Sequence, residues 1–217
     1  MYLRCKRCFD VTAAACALVI TAPISLLVAL GVFAFLGRPI LFRQTRVGFK
    51  ERLFTCYKFR TMTIDRNACG TPLNHPHRQT PFGSFLRRLS LDELPQLWNI
   101  LRGDISFVGP RPLYVEYLPY YTEDERRRHS VPPGLTGWAQ IHGRTAIPFE
   151  ERLQLDVWYV DHACWWLDFR ILLRTLWIVC TQSGYVLESV PLDQLRASNG
   201  GRQSNQPAEV SEIRSAM

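Results

Sequence analysis

Residues 11–36 read VTAAACALVITAPISLLVALGVFAFL, a run of 26 residues without a single charged side chain. A straight α-helix of this length would extend ~39 Å, which exceeds the ~30 Å hydrocarbon core of a bilayer. Thirteen of these residues are Leu, Ile, Val or Phe, and together they favour membrane insertion by roughly 4–8 kcal/mol. The run therefore predicts an N-terminal membrane helix.

Pro23 lies in the middle of this run, and basic residues flank the run on both sides. A proline removes one helical hydrogen bond and displaces the preceding turn, so each half would be only about 18–20 Å long. Because positive charge favours the cytoplasmic side, the two basic flanks favour a bent helix that enters the membrane and returns. A spanning helix that tolerates its proline remains open. Under either topology, the heavier positive flank places residues 37–217 in the cytosol. The flanking cations are Arg4, Lys6, Arg7, Arg38, Arg43, Arg46 and Lys50.

The whole chain of 217 residues is 47% hydrophobic and 21% charged, with a net charge of +7. This composition excludes a disordered protein, and the absence of an internal repeat argues against a solenoid. The positive charge indicates an anionic partner, such as a phosphorylated substrate, an acidic membrane or nucleic acid. Seven cysteines without a regular framework indicate reduced, cytosolic thiols. Neither a P-loop nor a dinucleotide-binding glycine motif is present.

The remaining pattern predicts an α+β fold that is mainly α-helical. Two apolar-aromatic runs, 40–42 and 53–57, are separated by Gly48 and predict a short β-hairpin. Residues 64–80 predict a loop, residues 82–101 and 113–128 predict helices, and residues 131–148 predict an irregular, turn-rich segment. Residues 149–183 predict helices with many aromatic rings, which suit either a membrane interface or ordinary core packing. We expect three parts: a membrane helix at 1–37, a cytosolic catalytic domain at 38–190 and a polar, disordered tail at 191–217.

The densest chemical signal is Ser90-Leu91-Asp92-Glu93-Leu94. Ser90 and Glu93 have the spacing of a capping box that opens a helix. In the first helical turn the Asp92 anion would be stabilised by the helix dipole, and the free amide groups there attract phosphate. Neighbouring carboxylates can also divide two tasks, since one can attack phosphorus while the other holds a divalent cation. The structural and the chemical interpretation both remain open.

Basic side chains gather around this acid pair in the sequence. Arginine on stiff loops suits bidentate recognition of phosphate, and Arg111 lies between two prolines in Gly109-Pro110-Arg111-Pro112. Any one of these cations could be an ordinary surface charge, but together with the carboxylates and the membrane helix they favour phosphate chemistry at a membrane. The candidates are Lys58, Arg60, Arg87, Arg88, Arg111 and Arg144.

Several segments in this order resemble the bacterial sugar transferases, the monotopic phosphoglycosyl transferases, in their minimal form. The resemblance covers about residues 3–185 and is carried by seven segments. They are Lys6-Arg7-Cys8-Phe9-Asp10, Tyr57 to Met62, Arg87 to Leu94, Gly103 to Pro112, Pro133 to Gln140, Gly143-Arg144 and Leu155 to Val160.

The resemblance implies a transferase of phosphorus-containing groups. A UDP-sugar would donate sugar-1-phosphate to a polyprenyl phosphate such as undecaprenyl phosphate, which gives a polyprenyl-diphosphate sugar and UMP. It also implies that Asp92 forms a covalent phosphosugar intermediate and that Glu93 binds Mg²⁺. The positions implied for substrate and phosphate binding are Lys58, Arg60, Arg87, Arg111, Arg144 and Asp156.

The resemblance also implies a re-entrant helix bent at Pro23, interfacial amphipathic helices and a location on the cytoplasmic face of the bacterial plasma membrane. Such enzymes start the synthesis of exopolysaccharide, O-antigen, capsule or glycoprotein glycans, so later glycosyltransferases are expected partners, a homo-oligomer is possible and nucleic acid is not expected. Two positions depart from the family pattern: Ala22 precedes the proline where Ser is common, and His142 precedes Gly143-Arg144 where Asn is common. The alternative is a membrane-tethered basic module that binds acidic lipid or nucleic acid without catalysis.

Overall fold

The computed structural model describes residues 2–64, 78–143 and 147–181. Arg144, most of the loop predicted at 64–80 and the tail predicted at 191–217 lie outside the described residues. In chain order the helices and strands are α1 (Tyr2–Leu36), β1 (Leu41–Val47), β2 (Leu53–Phe59), α2 (Pro81–Arg88), α3 (Gln96–Arg102), β3 (Ser106–Val108), α4 (Glu123–Arg126), β4 (Gly134–Thr136), α5 (Trp138–Ile141), α6 (Phe149–His162) and α7 (Trp165–Thr181). The mainly helical fold with its short hairpin is confirmed.

Helix α1 contains the whole apolar run and continues through Pro23. Within the described residues it is the one helix long and apolar enough to cross a membrane, and only 11% of its most apolar window is buried. Its buried positions fall into two groups, one near each end, while Val19, Ile20, Leu26 and Leu27 in the middle are 62–76% exposed. The apolar middle of α1 therefore lacks a protein partner in the described part of the chain. The buried positions are Lys6, Asp10, Ala14, Val28 and Val32.

Thr21 does not compensate for the hydrogen bond that Pro23 removes. A proline at position 23 frees the carbonyl of residue 19, four residues earlier. The Thr21 hydroxyl instead donates to the carbonyl of Ala17, at 2.7 Å. Back-bonding of this kind often bends a helix, so Thr21 adds to the effect of the proline.

Strands β1 and β2 form the predicted antiparallel hairpin, with Leu41 opposite Phe59 and Val47 opposite Leu53. The connecting turn uses positive φ angles at Lys50 and Glu51. Because side chains alternate across a strand, Lys58 shares one face of the hairpin with the buried Cys56, while Val47 and Phe59 are buried on the other face.

The segment predicted as one helix over 82–101 is broken into α2 and α3. Ser90 adopts a left-handed conformation with a φ of 56° and makes no side-chain cap, so the predicted capping box is wrong. Residues Leu91–Glu93 form a single 3₁₀ turn instead. Helix α3 is fixed to β2 by Asn99, whose amide accepts from the Tyr57 backbone at 3.1 Å and donates to the Thr55 carbonyl at 2.7 Å. The acid pair therefore lies on a turn between two helices.

The segment predicted as a helix over 113–128 is also divided. It contains 3₁₀ turns at Val115–Tyr120 and Arg127–Ser130, with the four-residue helix α4 between them. The sequence analysis did not predict the parallel pair of β3 and β4. This pair depends on Gly109 and Gly134, since a Cβ on Gly134 would lie 2.1 Å from the Gly109 nitrogen. In the turn-rich segment, the backbone at Gly134 therefore packs closely against Gly109 and fixes the start of the loop that carries Arg111.

Helices α6 and α7 confirm the prediction for residues 149–183. Tyr159 is buried in a core with Val108, Val131, Leu167 and Ile171. Phe149 is also buried, but the other five aromatic side chains of residues 149–181 are 39–73% exposed, so core packing explains only two of the seven rings. The exposed ones are Trp158, Trp165, Trp166, Phe169 and Trp177.

Both ends of α1 are fixed to the rest of the protein by polar contacts. Near the N-terminus, buried Lys6 pairs with Asp168 of α7, and the hydroxyl of Tyr159 donates to the same carboxylate at 2.7 Å. At the C-terminus, the guanidinium of Arg60 donates to the carbonyls of Leu36, Gly37 and Arg38. A cation at a helix C-terminus stabilises the free carbonyls there.

His129 provides a pH-dependent contribution to stability. Burial, followed by the charges of Arg128 and Arg126, lowers the pKa of His129 from 6.5 to about 3, and Glu51 Oε1 lies 3.7 Å from its Nδ1. Between pH 3 and pH 6.5 the unfolded chain therefore binds up to one more proton than the folded protein. Lowering the pH through this range decreases the free energy of unfolding by at most ~1.4 kcal/mol per pH unit. We expect His129→Phe to reduce the loss of unfolding free energy between pH 6.5 and pH 4.5 by ~2 kcal/mol.

Chemical denaturation in detergent across this pH range measures the effect. His162→Phe, which removes an exposed histidine, is the matched control. Equal pH slopes for His129→Phe and the wild-type protein would show that His129 does not resist protonation.

Candidate active site

The 3₁₀ turn places Asp92 and Glu93 side by side above the hairpin. Asp92 is 8% exposed. Glu93 Oε1 accepts from the ammonium of Lys58 on β2 at 2.6 Å and from the guanidinium of Arg111 at 3.2 Å. Glu93 is therefore paired with two cations, whereas its neighbour Asp92 is enclosed mainly by the surrounding protein.

The two carboxyl groups have opposite pKa shifts. Burial, and then the charge of Glu93, raises the pKa of Asp92 to about 6. Burial also opposes ionisation of Glu93, but Lys58 and Arg111 outweigh it and lower its pKa to about 2. Glu93 is thus a permanent anion, and Asp92 is a more basic carboxylate that is largely ionised at neutral pH. Paired acids with separated pKa values are a common feature of catalytic sites.

Arg87 provides the third cation near Asp92. Its Nε donates to the hydroxyl of Thr61 at 2.8 Å, and Thr61 is the second residue after the end of β2. This bond uses Nε, and the Arg87 side chain lines the cavity described below. The charge of Arg87 lowers the pKa of Asp92, as do those of Lys58 and Arg111.

Arg128 was missed by the sequence analysis, yet it supports the Arg111 loop. It lies in a run of three arginines, which by sequence reads as solvated surface charge, but its side chain is 1% exposed. Its guanidinium donates to the Arg111 carbonyl at 2.8 Å and to Asp156 Oδ2 at 2.5 Å. Asp156 therefore acts on the site through Arg128 and the Arg111 backbone. No local sequence signal distinguishes Arg128 from its neighbours.

Breaking this pair leaves a buried charge without its partner. We expect Asp156→Asn to lower the free energy of unfolding by ~3–5 kcal/mol, because Arg128 would keep its charge in an enclosed site. Replacing both members, in Arg128→Met with Asp156→Leu, removes the charge mismatch and should recover much of the loss. Chemical denaturation measures both variants, and a double variant no more stable than Asp156→Asn would contradict the explanation.

A cavity of about 1760 Å³ contains these groups. Seven of the predicted site residues line it, whereas Pro23 lies in the exposed middle of α1 and Arg144 lies outside the described residues. Arg60 is in the cavity wall, but the contacts that the structure gives it are those at the end of α1, and its role in phosphate binding stays a prediction. The seven are Lys58, Arg60, Arg87, Asp92, Glu93, Arg111 and Asp156.

Asp92 and Glu93 could together hold a divalent cation. In the part of the chain that the structure describes, no group of three or more His, Cys, Asp or Glu side chains could form a complete protein site. Mg²⁺ commonly takes one or two carboxylates and completes its shell with water and substrate phosphates. An anionic Glu93 in an open cavity fits that requirement, with Lys58 and Arg111 both on its Oε1.

His142, one of the departures from the family pattern, lies beside Trp138, with ring centroids 4.1 Å apart. Its Nδ1 is 2.8 Å from the Trp138 carbonyl. Together with Trp138, Arg170 and Arg174 it lines a second, smaller cavity. Its contacts are therefore aromatic packing and a local backbone bond.

Comparison with known proteins shows the family to which the sequence belongs. The family model described as bacterial sugar transferase matches residues 1–182. The chain is 50% identical to the uncharacterized sugar transferase EpsL of Bacillus subtilis, over 82% of this chain and 89% of EpsL. It is 41% identical to the undecaprenyl-phosphate glucose phosphotransferase of Komagataeibacter xylinus, over 79% of this chain and 35% of that protein. It is 38% identical to the UDP-glucose:undecaprenyl-phosphate glucose-1-phosphate transferase of Escherichia coli, over 79% of this chain and 39% of that protein.

The chain thus spans nearly all of one relative and less than half of the two longer ones. The match to the family model covers the membrane helix, the hairpin, the acid pair and the two long C-terminal helices. This chain belongs to the bacterial sugar transferase family.

Proposed function

We propose that this protein transfers sugar-1-phosphate from a UDP-sugar to a polyprenyl phosphate, such as undecaprenyl phosphate. The observation that carries the proposal is the acid pair: a buried carboxylate with a raised pKa lies beside an anionic Glu93, among three cations, in a cavity large enough for a nucleotide sugar. The names of the longer relatives indicate the substrate classes.

In the first step an Asp92 carboxylate oxygen attacks the sugar-side phosphorus of the donor. A bond forms between this oxygen and phosphorus, and the bond from phosphorus to the bridging oxygen breaks, so UMP leaves with the electron pair. In the second step an oxygen of the lipid phosphate attacks the same phosphorus and displaces the Asp92 carboxylate. The product is a polyprenyl-diphosphate sugar, and a covalent intermediate lets a soluble donor and a lipid acceptor use the site in turn.

The cations around Asp92 match the negative charge of the phosphate groups that react. Lys58, Arg87 and Arg111 line the cavity around Asp92, and in the proposed reaction they bind the diphosphate and stabilise negative charge as it moves to the leaving UMP. Lys58 and Arg111 are held in place by Glu93. Arg128 and Asp156 are positioning residues, because Arg128 donates to the Arg111 carbonyl and Asp156 accepts from Arg128. Roles for Arg60 and Arg144 in phosphate binding remain part of the proposal.

Mg²⁺ is the proposed cofactor, with Glu93 as its main protein ligand. When bound, it would neutralise part of the charge of the diphosphate. Glu93 suits this role because it stays ionised across the physiological pH range.

We also propose that α1 is re-entrant and that the catalytic domain lies on the cytoplasmic face of the plasma membrane. Lys6 near one end of α1 and the carbonyls of Leu36 and Gly37 at its other end contact the same cytosolic body. A helix that crossed the bilayer would place these ends on opposite sides. The exposed apolar middle of α1 and the bend-promoting pair of Thr21 and Pro23 support a helix that enters one leaflet and returns.

The test is an assay of purified protein in detergent with undecaprenyl phosphate, Mg²⁺ and a panel of UDP-sugars. We expect stoichiometric release of UMP and transfer of the labelled sugar into the organic phase with at least one donor. Transfer of sugar without phosphate, or release of UDP in place of UMP, would contradict the proposed reaction. The donor that reacts identifies the sugar and narrows the glycan pathway.

A further inference from the structure

The cavity that holds the acid pair has a second, apolar wall formed by α7. Leu172, Leu176 and Val179 line the cavity, and their spacing of four and three residues places them in one stripe along the helix. The stripe extends ~10 Å along the helix axis. Leu135 of β4 and Ala139 of α5 line the same cavity.

The cavity therefore combines two chemistries. Lys58, Arg87 and Arg111 form its cationic pole around the acid pair, while the α7 stripe forms an apolar wall. Its volume of about 1760 Å³ exceeds the ~300–1,000 Å³ of ordinary small-molecule sites. A nucleotide sugar carries polar groups along its length and no hydrocarbon chain, so it leaves a continuous aliphatic stripe largely unmatched.

Thr136, Gln140 and Thr175 bring polar side chains to the same cavity, and the two threonines satisfy each other. The hydroxyls of Thr136 and Thr175 lie 2.7 Å apart and form a hydrogen bond. Leu172 and Val179 are only partly buried and Leu176 is exposed, so an apolar occupant would cover apolar surface here, at roughly 0.8 kcal/mol for each buried methylene group.

Helix α7 also offers an exit from the cavity to lipid. The side of the helix away from the core carries Trp166, Phe169, Leu173 and Trp177, which are 51–73% exposed. Aromatic and aliphatic side chains on an exposed helix face are typical of a membrane interface. Leu176 lines the cavity and is also 63% exposed, so it lies where the cavity opens next to this face.

We infer that the α7 stripe binds the first isoprene units of the polyprenyl acceptor, while the acceptor phosphate binds at the cationic pole. This inference rests on the proposed function and adds the location of the lipid chain. The anionic phosphate matches the cations, and the hydrocarbon chain matches the wall that leads from them to the exposed face of α7. The ~10 Å stripe accommodates roughly two isoprene units, so it acts on acceptor specificity rather than on the reacting atoms.

The test compares two acceptors in wild-type and variant proteins, at saturating UDP-sugar and fixed detergent. Dimethylallyl phosphate has one isoprene unit and geranylgeranyl phosphate has four. The readout is the ratio of kcat/KM for the four-unit acceptor to that for the one-unit acceptor, because a partial folding defect lowers both values and leaves the ratio unchanged.

We expect the double variant Leu176→Gln with Val179→Gln to lower this ratio about tenfold, because two apolar contacts with the chain are lost. The matched control is Leu173→Gln, which places the same substitution on the same helix at an exposed position outside the cavity and should keep the wild-type ratio. An unchanged ratio in the double variant, or an equal decrease in Leu173→Gln, would overturn the assignment of the α7 stripe to the lipid chain. Absence of UMP release from the wild-type protein with every donor would instead overturn the proposed function, and with it the role of the α7 stripe.

Discussion

Asp92→Asn is expected to lower kcat by roughly 10³-fold or more, since the amide cannot serve as the attacking nucleophile. The same change should not damage the fold. The raised pKa of Asp92 means that its ionised form is less favourable in the folded protein than in the unfolded chain at neutral pH. Removing that charge should therefore raise the thermal midpoint in metal-free buffer, so that activity and stability change in opposite directions.

Turnover by UMP release and thermal unfolding in detergent measure the two effects. Asp161→Asn is the matched control, because this carboxylate is on the surface and pairs with Arg127; it should retain wild-type turnover. Full activity of Asp92→Asn would eliminate this residue as the nucleophile. A large decrease in its thermal midpoint would mean that lost activity reflects unfolding.

Glu93→Gln should have the second largest effect, a decrease in kcat/KM of roughly 10²-fold. The substitution removes the anion that holds Lys58 and Arg111, and it removes the proposed ligand of Mg²⁺. It also removes a negative neighbour that raises the pKa of Asp92, which by itself favours ionisation of the nucleophile. Loss of activity despite this gain would point to Glu93 itself.

Titration with Mg²⁺ separates a metal ligand from a purely electrostatic partner. We expect Glu93→Gln to need at least about tenfold more Mg²⁺ for half-maximal activity. Glu51→Gln, which changes a glutamate that pairs with Arg126 outside the cavity, is the control. An unchanged Mg²⁺ requirement in Glu93→Gln would show that Glu93 organises the cations without binding metal.

The elements with strong local signals were predictable from the sequence. Helix α1 follows from the uncharged run, the hairpin follows from its two apolar segments around Gly48, and α6 and α7 follow from helical periodicity. The conformation of the turn between α2 and α3 was not predictable from local signals. Ser90 has the residue type and spacing of a helix cap, but its left-handed backbone depends on how α2 and α3 pack on the hairpin.

The site shows the same division between local and long-range information. The acid pair and its nearby cations are dense in the sequence, and the family resemblance indicated their roles. The structure alone shows that Arg60 contacts the end of α1 and that Arg128 is buried against Asp156. These two contacts join residues 23 and 28 positions apart, a separation at which sequence spacing carries no information.

The most direct test of the central claim is intact-protein mass spectrometry after incubation with a UDP-sugar and Mg²⁺ but without lipid acceptor. A covalent mechanism predicts an added mass equal to one phosphosugar, mapped to the peptide that contains Asp92 and lost when polyprenyl phosphate is added. Wild-type protein that turns over with acceptor but never carries this mass, under conditions that trap acyl phosphates, would contradict the covalent step and favour direct attack by the lipid phosphate.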